Sequence, residues 1–382
     1  MSDVAPPSRT ETYPADKRRS YLAGTDLITA LRIYGSTIEL PLLGGQFVTT
    51  LGRSGDLRVD HPYLAAVHVR FERVSGNWLR VENISADRKN PLIFNHHEVS
   101  ECYIQAGDQF RIGDTTYYAL NEEMRLARRS VTEVLGETQD TAIDDCLIAA
   151  AVDADRHIVL IGEPGSQQER LAGAIHWAST RRHNRFIEVA PVRTPGTADL
   201  QSIRDARDGT LLLWLPSRGK FDPTFLSCVL ASHARVRLII CTTSPGKVDT
   251  SIPGAAADEA TRFTIAPLRE RKEDIPVLMD RWFIEDRSNL RFRTLPPGVQ
   301  DKLISHRWSR NLQELRAAVQ HLMLLAHYRS EREAERDKST TRGESRAWRK
   351  RLKLPLPLLP PAPESSTVPR LTSTTRTARK RA

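Results

Sequence analysis

Ile158-Val-Leu-Ile-Gly-Glu-Pro-Gly-Ser-Gln-Gln-Glu169 is the stretch on which the reading of this chain turns. A short apolar run leads into a glycine-bearing turn and then into a helix start. That is the layout of a loop whose backbone N–H groups wrap phosphates. Such a loop also needs a lysine for the β/γ oxygens and a hydroxyl for Mg²⁺. Gly162 and Gly165 are present, but Gln167 and Gln168 stand where glycine and lysine belong. The shape is kept and the charge removed, which points to a phosphate-binding scaffold no longer used for hydrolysis.

Working outward, helical patterning over Thr141–Val152 precedes a strand at His157–Ile161, a helix at Gln168–Ala178 and a strand at Phe186–Val189. Strands at Gly209–Leu215 and Val236–Cys241 flank a helix near Pro223–Ser232. Strand alternating with helix predicts a parallel α/β sheet. From Asp274 the pattern is helical, ending in Leu312, Leu315, Val319, Leu322 and Ala326, with Ser309 or Asn311 as N-cap. Upstream, Ser36–Leu40, Gln46–Leu51, Val67–Phe71, Trp78–Val81, Leu92–Phe94 and Gln109–Ile112 alternate apolar and polar between turns such as Ser75–Asn77 and Gly113-Asp114. Period-two runs at regular spacing predict an antiparallel β-sandwich. The expected plan is a disordered N-terminus (1–27), a sandwich (28–122), a linker (123–140), an α/β subdomain (141–265), a helical lid (266–328) and a disordered basic tail (329–382).

The chain has 382 residues and a formal net charge of +9. From Arg329 onward there are 15 Lys+Arg against 6 Asp+Glu, which accounts for the whole excess and leaves the rest neutral. The high pI therefore describes the tail, not the domains. Cys102, Cys146, Cys228 and Cys241 form no CxxC pair and read as buried, reduced thiols, with no metal expected. No apolar run reaches the ~18 residues of a membrane span, and the first residues lack a secretory h-region, so a cytoplasmic protein without membrane contact is expected.

Leu51-Gly-Arg-Ser-Gly-Asp-Leu-Arg-Val-Asp-His-Pro-Tyr-Leu-Ala-Ala-Val-His68, with Val81–Ser85, Lys89–Asn95 and Ile104–Asp114, resembles the forkhead-associated (FHA) domain, a phosphothreonine-binding sandwich. The resemblance implies a phosphopeptide site built from Arg53, Ser54, His68 and Asn90. Arg53 would meet the phosphate as a charge-assisted donor and Asn90 the ligand backbone, while His68 would serve as a strut between loops. The family's Ser-Arg pair is replaced by Leu64-Ala65 or Ala65-Ala66, and its Asn-Gly glycine by Pro91. Losing a hydroxyl donor to a charged acceptor removes about 1.5–3 kcal/mol, so phosphate-independent protein contacts are the competing reading.

Leu171–Ser179, Ala206–Leu213, Val236–Ile239, Ala266–Pro276 and His306–Leu315 resemble the AAA+ domain of sigma-54-dependent transcription activators. The departures fall on the chemistry that this resemblance implies. The lysine position is Gln168, the Walker B Asp-Glu pair is Trp214-Leu215, the sensor asparagine is Thr243, and the lid arginine is Gln313. Ala190–Asp205 is too short for the family's sigma-contacting loop, and Arg262 has no assigned role. Phosphoryl transfer needs cations, carboxylates and metal together, so no catalysis and no ATP or other cofactor are expected. Apolar packing is expected to fill the former metal site. Arg269, Arg271 and Asp274 read as a solvated helix entry with an ion pair.

The resulting expectation is a non-catalytic signalling adaptor or transcription-related regulator, contacting a phosphorylated or unphosphorylated protein and oligomerising with itself or with related AAA+ proteins. One alternative is an ATP-dependent sigma-54 activator with an atypical site. Another is a nucleic-acid-associated protein acting weakly and nonspecifically through tail segments Arg346–Lys353 and Arg379–Arg381. Thr367, Thr372, Ser373, Thr374, Thr375 and Thr377 lie near basic residues, as a Ser/Thr kinase acting on the tail would require.

Overall fold

The computed structural model describes residues 27–42, 48–74, 77–85, 89–152, 156–189, 197–215, 229, 235–243 and 260–340. Expectations for the first 26 residues, for Cys228, for the Pro223–Ser232 helix apart from Val229, and for the tail beyond 340 lie outside these residues.

Eleven short strands build the N-terminal sandwich. β1 (Ile28–Ile33), β2 (Glu39–Pro41), β7 (Leu92–Phe94), β8 (His97–Val99), β10 (Gln109–Ile112) and β11 (Thr115–Asn121) form one sheet, ordered β2-β1-β11-β10-β7-β8. β3 (Val48–Gly52), β4 (Leu57–Arg58), β5 (Val69–Arg73), β6 (Leu79–Asn83) and β9 (Glu101–Ile104) form the other, ordered β4-β3-β5-β6-β9. The alternation predicted from sequence is what closes them face to face. In β10, Phe110 and Ile112 are buried while Gln109 and Arg111 face water. Phe110 stacks on Tyr117 at 5.4 Å and meets Phe71 of the opposite sheet at 5.9 Å, tying the two layers together.

The segment expected as a linker is corrected. α1 (Glu122–Leu135) follows β11 directly, with Asn121 as N-cap accepting from the Met124 N–H at 2.9 Å. Met124, Ala127, Val131 and Val134 are buried at helical spacing. Glu133 is fully buried, accepting from the Trp282 indole N–H at 2.9 Å and from Arg170. α2 (Asp140–Val152) returns toward the sandwich. Its buried Asp144 accepts from Tyr118 Oη and Arg128 Nη1, each at 2.6 Å, and from the Gly35 N–H at 2.8 Å, with Arg32 3.5 Å away.

The α/β part is a five-stranded parallel sheet of β12 (Ile158–Ile161), β13 (Phe186–Val189), β14 (Thr210–Trp214), β15 (Arg237–Thr242) and β16 (Thr261–Thr264), ordered β13-β14-β15-β12-β16. β12 is paired on both sides, so Ile158, Val159 and Leu160 are all solvent-free, as an unbroken apolar run in a parallel sheet requires. Helices α3 (Gln168–Trp177) and α4 (Thr197–Asp205) connect the strands on the β13 side. A 3₁₀ turn at Leu268–Glu270, α5 (Asp274–Glu285), a second such turn at Phe292–Thr294, α6 (Pro297–Ser305) and α7 (Asn311–Thr340) follow. Trp282, Phe283 and Trp308 form buried anchors among them. Residues up to Arg316 make one compact unit.

Beyond Arg316, α7 runs on to Thr340, which corrects the disorder expected from Arg329. Glu331-Arg-Glu-Ala-Glu-Arg-Asp-Lys338 is rich in strong helix formers, which carry the helix on despite its charge.

Candidate functional site

The loop Gly162–Gln167 sits beyond the C-terminal ends of β12 and β15, the crevice where open parallel sheets place ligands. Its course is that of a phosphate loop. Gly165 has φ 78°, and a Cβ there would lie 2.1 Å from the Arg310 carbonyl oxygen. Gln167 holds a left-handed conformation, φ 60° and ψ 43°, where the motif carries glycine.

Gln168 is buried, and its side-chain amide donates to the Thr242 carbonyl at 2.9 Å, with Leu160 and Gly162 carbonyls at 3.3 and 3.4 Å. The amide thus crosses from β12 to β15 inside the sheet end. The hydroxyl of Ser166 and Oε1 of Gln167 are buried without partners.

A clamp that the sequence reading missed closes the loop from the other side. Arg269 Nη1 and Nη2 donate to Glu163 Oε2 and Oε1 at 2.6 and 2.8 Å. Asn311 Nδ2 donates to the Pro164 carbonyl at 3.1 Å, and Asn311 Oδ1 accepts from the Leu268 N–H at 2.8 Å. The Gln313 N–H donates to the Gly165 carbonyl at 3.1 Å. Arg269, with help from Asn311, holds the Glu163 carboxylate below its ordinary range. Glu163, Arg269 and Asn311 are far apart in sequence, and only the bidentate chemistry of a Glu–Arg pair could have hinted at their meeting.

The expected solvated helix entry is also corrected. Arg271 and Asp274 are buried and paired at 3.3 Å, and Asp274 also accepts from the Glu137 N–H at 3.1 Å. Burial outweighs the pairing at both groups, pushing Asp274 up and Arg271 down. Arg269 alone of the three reaches the loop.

Trp214 and Leu215 diverge. Leu215 is buried with Leu211, Leu213 and Val159. The Trp214 indole N–H donates to Glu188 Oε1 on β13 at 3.0 Å, away from the phosphate loop. Thr243, half-buried, follows the Thr242 whose carbonyl takes the Gln168 amide. Gln313 is exposed, its side chain accepting from Arg310. A cavity of about 550 Å³ between α2 and the edge strand β16 lies elsewhere; Ala149, Val152, Arg262 and Phe263 line it.

In the sandwich, Gly52 ends β3 under the 65–66 loop; a Cβ there would meet the Ala66 oxygen at 2.4 Å. That close approach lets the Arg53 and Ser54 N–H groups donate to Ala65 and Ala66 carbonyls at 3.0 and 2.8 Å. His68 is fully buried. Its Nδ1 accepts from the Ala65 N–H at 3.1 Å, which leaves Nε2 to donate to the Asn90 carbonyl at 2.9 Å. His68 is therefore a strut joining two loops. The structure gathers Arg53, Ser54, His68 and Asn90 at one end of the sandwich. Arg53 is exposed, with no described partner for its guanidinium.

A profile of the AAA+ ATPase lid domain matches residues 269–338. The Escherichia coli (strain K12) protein named for a uric acid sigma-54-dependent transcriptional regulator, UacR, is 27% identical over 237 residues, covering 50% of this chain and 39% of the relative. NtrX from Brucella abortus in complex with ATP aligns at 20% identity and TM-score 0.40, covering 53% of this chain and 51% of that one. The FHA domain of CT664 from Chlamydia trachomatis aligns at 15% identity and TM-score 0.22, covering 24% of this chain and 94% of that one. The matched region spans less than half of the UacR relative.

Two packed, mainly antiparallel sheets followed by a parallel sheet and a helical lid define a two-module class of protein. This chain joins a sandwich that resembles the FHA domain to an α/β module similar to that of sigma-54-dependent regulators, ending in an AAA+ lid.

Proposed function

We propose that the protein is a non-catalytic regulator, transcription-related like its relatives, in which an FHA-type protein-binding face is joined to an AAA+ module that neither binds nor turns over ATP. The observation that carries this reading is the Gln168 amide, satisfied by strand carbonyls where a cation would face phosphate. The clamp of Arg269 and Asn311 on Glu163 and Pro164 supports it, since it holds the loop against the segment around Arg310. Mg²⁺ and ATP do not fit the residues present. The two carboxylate positions hold Trp214 and Leu215, one turned to Glu188 and the other packed in the core.

The test is titration of purified protein with a fluorescent ATP analogue, with and without Mg²⁺, alongside phosphate-release assays. No saturable binding and no turnover are expected. Turnover abolished by Glu163→Ala would overturn the reading.

The sandwich is proposed to bind a protein partner through the Arg53 face, favoured by the exposed Arg53 guanidinium, unpaired among the described residues, beside the His68 strut. Phosphothreonine is the ligand that this cation suits. Co-purification from cell extract with wild type and Arg53→Ala, before and after phosphatase treatment, reports partner and phosphate dependence together.

A further inference from the structure

The end of the parallel sheet opposite the phosphate loop carries a concentration of arginine that takes no part in the phosphate loop or the Arg53 face. Three loops meet there, each entering a strand at its N-terminus. Arg181 Nη1 donates to the Gly209 carbonyl at 3.2 Å and to the Arg235 carbonyl at 2.6 Å. Asn184 Nδ2 donates to the Asp208 carbonyl at 3.0 Å, and the Thr210 N–H to the Arg185 carbonyl at 2.9 Å. A Cβ on Gly209 would lie 2.2 Å from the Arg185 oxygen, so the loops are in close contact. Because β13, β14 and β15 are neighbours, the loops that carry Arg185, Arg207 and Arg235 lie next to one another, and Arg207 and Arg235 share Asp208.

These three side chains are 70%, 73% and 65% exposed. The carboxylates facing them are Asp205, 3.7 Å from Arg185, and Asp208, 2.7 Å from Arg235 and 3.9 Å from Arg207. Arg204 adds an exposed cation in the last turn of α4, and Arg182 is buried 3.6 Å from Glu123. Positive charge exceeds negative here, although the folded part of the chain is neutral as a whole. The ring of buried His176 feels the same field. Desolvation, then Arg237 and Arg181, lower it to about 4.

We infer that this arginine face binds the phosphodiester backbone of nucleic acid. Every exposed cation in these loops is a guanidinium, whose planar fork matches phosphate oxygens and is weakly hydrated. Among the described residues of these loops the exposed side chains are polar or charged, and the one large exposed ring adjoining them in the chain is Trp177, at the end of α3. Contact with phosphates needs no apolar anchor. The surface lies on the folded module and is independent of the basic tail.

The test uses full-length chain and a fluorescent 30-base-pair duplex, with anisotropy read across a salt series. Arg185→Gln/Arg207→Gln/Arg235→Gln is compared with a full-length variant in which Arg346, Arg349, Lys350, Arg351 and Lys353 are all glutamine. Loss of three phosphate contacts makes the log–log salt slope shallower by about 2–3 and weakens binding roughly tenfold or more at moderate salt. Melting temperature is expected to stay at the wild-type value, since the three guanidiniums are exposed. Wild-type affinity and slope in the loop variant, with binding lost only in the tail variant, would overturn the inference. So would polyglutamate binding as tightly as duplex, which would assign the face to an acidic protein.

Discussion

At Gln167 a single side chain records the history of the loop. It keeps the left-handed backbone, φ 60° and ψ 43°, that a glycine would adopt without strain. For an ordinary L-residue that conformation costs about 1–2 kcal/mol. The Oε1 of Gln167 is also buried without a partner, a further cost. Gln167→Gly is therefore expected to stabilise the protein by about 1 kcal/mol, because relief of both costs exceeds the added chain entropy. Urea unfolding should show a higher midpoint at unchanged slope; a lower midpoint would mean that the side chain contributes packing not captured by this account. The neighbour behaves in the opposite sense. Gln168→Met removes one of two donors to the Thr242 carbonyl, which keeps the Gly162 N–H at 3.0 Å, and is expected to cost about 0.5–1.5 kcal/mol in the same experiment, the net value of one hydrogen bond. The substitution of lysine by Gln168 was legible in sequence, since the loop's glycines fix the alignment. Its satisfied amide was not, because its acceptors on β12 and β15 become neighbours only through the strand order.

Elements differ in how plainly they announce themselves. β10 and β12 were legible because one alternates and the other runs unbroken, as half-buried and fully buried strands must. α1 was read as linker, although Met124, Ala127, Val131 and Val134 recur at helical spacing. Only the fold shows Glu133 sealed against Trp282 and Arg170. The last full turn of α3 hides another titratable group. His176 packs on Phe186 at 5.3 Å and shares a 2.9 Å hydrogen bond with Thr210 Oγ1. Desolvation first, and then Arg237, lower it from 6.5 to about 4, so the folded state holds it neutral. Its folded value lies below its unfolded one. The contribution to stability is therefore full above about pH 6.5 and is lost as pH falls toward 4. The total is on the order of 3 kcal/mol. Denaturation curves at pH 7 and pH 4.5 should diverge less for His176→Gln than for wild type. Equal divergence would show that this imidazole does not contribute to acid sensitivity.

For the molecule as a whole, the consequential residue is Asp144, because its partners come from both modules. Tyr118, Gly35 and Arg32 belong to the sandwich and Arg128 to α1, while Asp144 itself lies on α2, beside the parallel sheet. A carboxylate that accepts from Tyr118, Gly35 and Arg128 and faces Arg32 in a dry setting is costly to remove, about 3–5 kcal/mol, because the guanidiniums lose their counter-charge. Asp140, 3.0 Å from Arg128 and 3.5 Å from Arg32, offsets only part of that loss. Wild type is expected to unfold in one calorimetric transition over the sandwich and the α/β module. Asp144→Ala should split it in two, with early hydrogen exchange at the Gly35 amide, while Asp144→Asn, which retains an acceptor oxygen, should fall between. A single transition in the alanine variant would mean that the modules are joined by apolar packing around α1 alone. The same tie decides how far a ligand at the Arg53 face can act. If phosphothreonine peptide binds there as proposed, at 100 times its dissociation constant it adds about 2.7 kcal/mol to whatever unfolds with its site. In wild type that should raise the one transition for both modules, and in Asp144→Ala only the transition of the sandwich, so calorimetry with and without peptide measures directly whether binding at one end reaches the other.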